Sequence, residues 1–228
     1  MFLSAFVCVR PRPILPMKIF GIGMMKTGTS TLGFCLPQLG YHHAPYTPKL
    51  LRQLMQGNTS HLAPYITQYD SFDDHPWPML YRWLDEQYPD SKFILTLRKD
   101  SETWFRSINT HAQRRGPTIE RKLVYGYAMP SHNKAAHIAA YESHNAAVQA
   151  YFAGRPDKLL VACWETGSGW RELCEFLGHD LVTTPLPHAN SSQGRTTDYQ
   201  RWARNLGKYF LLYTLQKPRY SRRNLDKL

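Results

Sequence analysis

Between Gly21 and Thr31 the chain reads GIGMMKTGTST, which packs one lysine and four hydroxyls into the six residues Lys26–Thr31. Glycines at 21, 23 and 28 allow sharp turns and a close approach of backbone to a ligand. Thr27, Thr29, Ser30 and Thr31 supply hydroxyls, and Lys26 supplies a full positive charge. If a helix starts here, its first amides and partial positive charge add to the same point. The chemistry is the binding of a phosphate or a sulfate.

Known glycine-rich loops do not fit. The loop of nucleotide hydrolases reads GxxxxGK[ST]; Gly23 and Gly28 keep that spacing, but Thr29 stands where the lysine belongs. The dinucleotide fingerprint GxGxxG has Lys26 in place of its third glycine.

Three other groups have chemistry-bearing types. Arg98 ends the apolar run KFILTLR, with Ser107 about two helical turns further on. Asp73, Asp74 and His75 stand together in YDSFDDHPWP, where a proton could be taken from an acceptor; the aspartates equally suit the cap of a following helix. Glu165 follows the run KLLVACW and mimics the acid that holds Mg²⁺ in nucleotide hydrolases.

These residues need a scaffold, and the pattern of the chain specifies one. The apolar runs at Ile19–Ile22, Lys92–Leu97 and Lys158–Trp164 read as buried parallel strands. Helical periodicity follows at about 29–39, 50–55, 79–88, 99–111, 134–154, 169–177 and 198–216. The alternation gives an α/β fold, a central parallel sheet flanked by helices, whose ligands bind beyond the carboxyl ends of the strands. Residues 113–132, rich in aromatics, read as a mobile connection and a candidate lid or acceptor wall. His137, His144 and Asn145 on the long helix line a cleft or sit on its polar face. Adjacent His42 and His43 point to different sides and make poor joint metal ligands.

Composition bounds the reading. At 228 residues one domain is the simplest arrangement, with residues 1–16 as an extension ahead of a domain spanning 17–228. Phe2–Val9 is apolar but too short to span a bilayer, and Met17 is a plausible natural start. The net charge of +11 favours a polyanionic ligand, a nucleic acid or an acidic surface. Basic and aromatic residues do not alternate in a nucleic-acid-binding motif, so no nucleic-acid partner is expected. The basic tail from Lys217 could touch a membrane, though a solvated end is the commoner role. Four cysteines without CxxC spacing indicate neither a zinc site nor a disulfide framework and suit a reducing, cytoplasmic setting.

The segment KTGTSTL resembles the 5′-phosphosulfate loop of the sulfotransferases that use 3′-phosphoadenosine 5′-phosphosulfate (PAPS), whose form is close to KxGTxxL. KFILTLR with Ser107 is similar to that family's second signature, in which an arginine and a serine hold the 3′-phosphate. Together with LLVACWETGSGWRELCEFLG and PLPHAN the chain looks like a compact, bacterial-type member. The resemblance implies a three-layer fold like that of the P-loop nucleotide hydrolases. It implies transfer of a sulfonyl group from PAPS to a hydroxyl or amine of a small molecule or glycan, leaving PAP, with no metal required. Lys26, Thr27, Gly28, Thr29, Ser30, Thr31, Arg98 and Ser107 would bind the donor, and Lys26 would also balance charge on the bridging oxygen. Two departures stand out. The family's histidine base lies in a THLP-like segment, where this chain has DDHPW, so His75 and Asp74 compete for the role. Its RKG segment is represented only by Gln193-Gly194-Arg195, making Arg195 the third phosphate contact. The alternatives are a kinase using ATP with Mg²⁺ on Glu165 and a non-catalytic nucleotide-binding module.

Overall fold

The computed structural model describes residues 17–187 and 197–216, with side chains as far as Leu211. The amino-terminal extension, Arg195 with the second half of PLPHAN, and the basic tail lie outside the described residues.

Four parallel strands form the centre: β1 (Ile19–Gly21), β2 (Ser71–Phe72), β3 (Lys92–Thr96) and β4 (Leu159–Ala162), in the order β2-β1-β3-β4. Phe20 on β1 pairs in register with Phe72 and with Phe93, and its ring stacks on both, at 4.9 and 5.7 Å between centroids. This aromatic row ties three strands together on one face. The period of two then sorts the core. Phe20, Phe93 and Leu95 enter one apolar cluster, whereas Ile19 and Ile94 enter the other.

Helices cover both faces, giving three layers. On one side lie α1 (Thr29–Gln38), with Leu32, Cys35 and Leu36, and α8 (Trp170–Leu177), with Leu173 and Cys174. The other side takes α2 (Pro48–Met55), α3 (Leu62–Ile66), α4 (Tyr81–Gln87), α5 (Ser101–Arg115), α6 (Ile119–Tyr125) and α7 (Lys134–Tyr151). A last helix, α9 (Tyr199–Gln216), packs on α5 and α6, with Trp202 seated against Gly116. The chain leaves β1 towards β2 through α1 on one face and leaves β3 towards β4 through α5–α7 on the other. That makes the carboxyl ends of β1 and β3 the switch point at which such sheets bind ligands. No helix among the described residues is long and apolar enough to cross a membrane.

Three of the four strands, β1, β3 and β4, and the main helices stand where the apolar pattern puts them; β2, two residues inside the acidic segment, was not expected as a strand. Residues 113–132 differ from the expected mobile connection. Thr118 caps α6 by accepting the Arg121 amide, and Tyr125 is buried. Arg121, only 1% exposed, donates to the carbonyls of Gly116 and Ala128 at the two ends of the segment. A buried guanidinium needs several acceptors, and folding the segment around it supplies them.

Gly23 has no room for a side chain. A Cβ there would stand 2.0 Å from Thr96 Oγ1 and 2.6 Å from the Thr96 carbonyl oxygen. Gly23→Ala is expected to lower stability by about 1–3 kcal/mol, the cost of overpacking. Gly207→Ala, in open space on α9, should be neutral or stabilising. Urea unfolding of the two variants checks the contrast.

Candidate active site

The glycine-rich loop is held by its carbonyls. Thr27 Oγ1 donates to Met24 O at 2.6 Å, and Trp104 Nε1 of α5 donates to Met25 O at 3.0 Å. Arg98 Nη1 donates to Lys26 O at 3.3 Å, and Trp164 Nε1 donates to Gly28 O at 3.2 Å. With these carbonyls taken from behind, the first amides of α1, which have no partner one turn back, face the cleft. Gly28 is the N-cap, at φ 99°, and the Trp164 ring lies where its Cβ would be, 2.3 Å away. Only glycine fits both the angle and the contact. The Thr27 hydroxyl also meets Thr96 Oγ1 at 2.7 Å and is fully buried, so it fixes the loop to the end of β3. Lys26, Gly28, Thr29, Ser30 and Thr31 line the cleft, although most of Thr29 and Thr31 is buried.

Among the described residues, two that are not glycine hold a left-handed backbone: Lys26 at φ 71° and Asp74 at φ 60°. Both line the cleft. Such angles cost of order 1–3 kcal/mol each and persist where the surroundings enforce them, commonly at functional sites.

The cleft encloses about 1630 Å³, more than a site for one small ligand needs. Arg98 is in its wall, but its guanidinium is forked onto Glu165, Nε to Oε2 at 2.8 Å and Nη2 to Oε1 at 2.6 Å. The Arg98 fork and the Lys99 amide hold the Glu165 carboxyl below its usual range. Arg98 therefore braces the loop and β4 together, and Glu165 is engaged by protein. Ser107 faces the cleft from α5, with Thr103, Arg106, Thr110 and His111 beside it. α9 closes the opposite wall with Arg201, Arg204 and Lys208. The sequence reading missed these groups. Thr103, Thr110 and His111 fall at helical spacing from Ser107 and were legible in that period. The return of α9 over the cleft has no local signal.

The acidic segment separates into three directions. Asp73 tucks under α1, its Oδ1 3.4 Å from His43 Nε2, and burial raises its pKa. Asp74 faces the cleft. His75 does not: it is buried, its ring meets Tyr125 edge-on, and its Nδ1 lies 3.1 Å from Asp74 Oδ1. Its Nε2 is enclosed and has no partner. The residue read first as the base thus stands behind the cleft and braces its rival. Burial pushes the Asp74 carboxyl up, but the hydrogen bonds and charge of His75 outweigh it and hold the pKa below the usual range. His137 and Asn145 are buried away from the cleft, and His144 Nε2 bonds Ile22 O at 2.8 Å. Among the described residues no three His, Cys, Asp or Glu side chains converge to hold a metal ion.

His111 lines the cleft with its Nδ1 enclosed and unbonded. Burial, then the nearby charges of Lys26, Arg121 and Arg201, push its pKa down to about 4, against a smaller opposing pull from Asp74. An unfolded histidine takes its proton near pH 6.5. As pH falls from about 6.5 to about 4, the unfolded chain binds a proton that the folded protein refuses, so stability falls across that window. His111→Gln should flatten this slope between pH 5 and 6.5, while the acidic loss below pH 4.5 from Asp74 and Glu165 remains. Urea midpoints measured at half-unit pH steps decide it; an unchanged slope would show that His111 is protonated as in the unfolded chain.

The sequence model of a family described as a sulfotransferase domain matches residues 18–126 and 115–195. A protein of Aspergillus versicolor, Ava biosynthesis cluster protein M, is 24% identical over 241 residues, covering 82% of this chain and 87% of its own length. A sulfotransferase crystal structure from Alicyclobacillus acidocaldarius is similar over 88% of this chain and 97% of its own, with a TM-score of 0.49 and 17% identity. The first matched segment spans the phosphate-type loop, the DDH segment, Arg98 and Ser107, the second spans Trp164, and the chain belongs to the sulfotransferase-domain family.

Proposed function

We propose that this protein transfers a sulfonyl group from PAPS to a hydroxyl or amine, releasing PAP. The observation that carries the reading is the loop: Lys26 is held in a left-handed backbone beside the opening of α1, and four carbonyls around it are drawn out of the way. That cradle fits a doubly anionic group. PAPS supplies the activated sulfonyl group and the phosphate leaving group. The amides of Gly28, Thr29 and Ser30 would bind the 5′ end, and Lys26 would neutralise charge that grows during transfer, where one positioned donor has most effect. Ser107 and Arg106 on α5, with the cations of α9, would take the 3′-phosphate; Arg98, bonded to Glu165, would set the loop rather than serve as the main ligand. Trp164 stands where it can exclude water from the loop.

The kinase reading needs Glu165 for Mg²⁺, and Glu165 is bonded to Arg98 and to the Lys99 amide. It also needs a lysine at position 29. The Aspergillus relative is named for a biosynthesis cluster, which accords with a small-molecule acceptor rather than a glycan. Buried thiols at Cys35 and Cys174 accord with a cytoplasmic setting.

PAP is expected to raise the melting temperature without added metal, by selective binding to the folded state. Equal stabilisation by ATP, or a strict need for Mg²⁺, would overturn the donor assignment. Lys26→Ala should lower kcat by roughly 10²–10³, with 4-nitrophenol as probe acceptor, while PAP affinity measured by calorimetry falls much less. Near-normal turnover in that variant would reduce Lys26 to a binding residue.

A further inference from the structure

His111 is half-buried, on α5 one turn beyond Ser107. A rigid helix presents it to the same cleft as Lys26 and Asp74. The charged groups that face it come from every neighbouring element. They are Lys26 from the loop after β1, Asp74 from the segment after β2, Arg121 from α6 and Arg201 from α9. Arg114 and Arg115 follow one turn on along its own helix. Its Nδ1 is buried without a hydrogen bond. No protein group fixes the ring through this nitrogen, and a cleft-lining imidazole set among cations and beside one carboxylate changes its proton affinity when the charge around it changes.

We infer that His111 is the general base that takes the acceptor's proton, and that anionic donor in the cleft is what makes it basic enough to do so. The inference rests on the sulfonyl-transfer reading above. In the free protein burial of the ring, and then the like charges of Lys26, Arg121 and Arg201, disfavour an imidazolium at position 111, so the ring stays neutral and binds protons weakly. A bound phosphosulfate and 3′-phosphate would offset those cations. The Asp74 charge would then be opposed by burial alone, and the balance would move towards the imidazolium. His75 holds Asp74 ionised and oriented from behind. Asp74 is thus a positioning residue acting through His111. In the step itself the acceptor O–H proton passes to an imidazole nitrogen and the acceptor oxygen bonds to sulfur. The bond from sulfur to the bridging oxygen breaks, and its electron pair leaves on the phosphate of PAP. The coupling has a purpose: without donor, the site holds no competent base.

The test is the ¹⁵N–¹H NMR titration of the histidine rings in the whole protein, with and without saturating PAP. The His111 signal is assigned by its loss in His111→Gln, with His111→Asn as the second variant. The expected midpoint is near pH 4 in the free protein. With PAP it should rise by about one pH unit or more, and Asp74→Asn should reverse part of the rise. With 4-nitrophenol as probe acceptor, His111→Gln should lower kcat by roughly 10²–10⁴ while PAP affinity stays within about threefold. A ring that titrates identically in a demonstrated PAP complex, or a variant that keeps turnover, overturns this inference alone. Failure of PAP to bind at all overturns the donor assignment and this inference with it.

Discussion

A strand-to-helix loop binds an anion only if its amides, and not its carbonyls, point at the ligand. In this protein that direction is imposed from outside. The carbonyls of Met24, Met25, Lys26 and Gly28 are taken by Thr27, Trp104, Arg98 and Trp164. Each bond contributes about 1 kcal/mol net, so their combined effect on stability is modest. Their effect on geometry is larger, because three of the donors come from outside the loop: Arg98 just after β3, Trp104 on α5 and Trp164 in the segment after β4. Trp104 is itself fixed by stacking on Tyr141 of α7, 4.4 Å between centroids and 7° from parallel. The Tyr141 hydroxyl in turn accepts the Arg98 amide at 3.1 Å. Sheet, helical layer and loop therefore form one connected network; the Gly28 and Met24 carbonyls also accept backbone amides, so the Met25 and Lys26 carbonyls depend most on their side-chain donors, Trp104 and Arg98.

Charge follows the same division between structural and ligand-facing groups. Arg98 is committed to Glu165, Arg52 to Glu120 at 2.6 Å, and Arg121 to two carbonyls. These cations hold the walls. The wall shared by α5 and α9 adds Arg106, Arg114, Arg115, Arg201, Arg204 and Lys208, with one acid, Asp198, just ahead of α9. Like charges gathered around one cleft repel, which costs folding energy and is recovered when an anion binds. Burial first, and then the charges of Lys26, Arg121 and Arg201, depress the pKa of His111 in this cleft.

Most of the fold was legible because it rests on local pattern. Strand runs bounded by turns, and the 3.6-residue period after each, are properties of neighbouring residues. The loop was legible for the same reason: lysine, glycines and hydroxyls within a few positions define its chemistry. What could not be read was set by long-range contact. Arg98 at a strand end suits a phosphate equally well as a carboxylate, and only the approach of the segment after β4 decides for Glu165. Residues 113–132 carry turn formers at Gly116, Pro117 and Gly126. They look loose until the buried Arg121 is seen joining their two ends.

The base shows the limit most sharply. In an extended chain, Asp73 and His75 would share one side and Asp74 would take the other. The sequence thus allows either the imidazole or the central carboxylate to meet the acceptor. Asp74 at φ 60° breaks that alternation. Asp73 is carried under α1 to His43, His75 into the aromatic core beside Tyr125, and Asp74 alone to the cleft. A carboxylate held ionised by a buried histidine is a weak proton acceptor, but it is well suited to support a positive charge that forms nearby. An imidazole delivered by α5, whose rotation is fixed by Trp104 and Ile108 in the core, meets that need with less positional freedom than any residue of the loop. The loop chooses the charge, and the helix chooses the position.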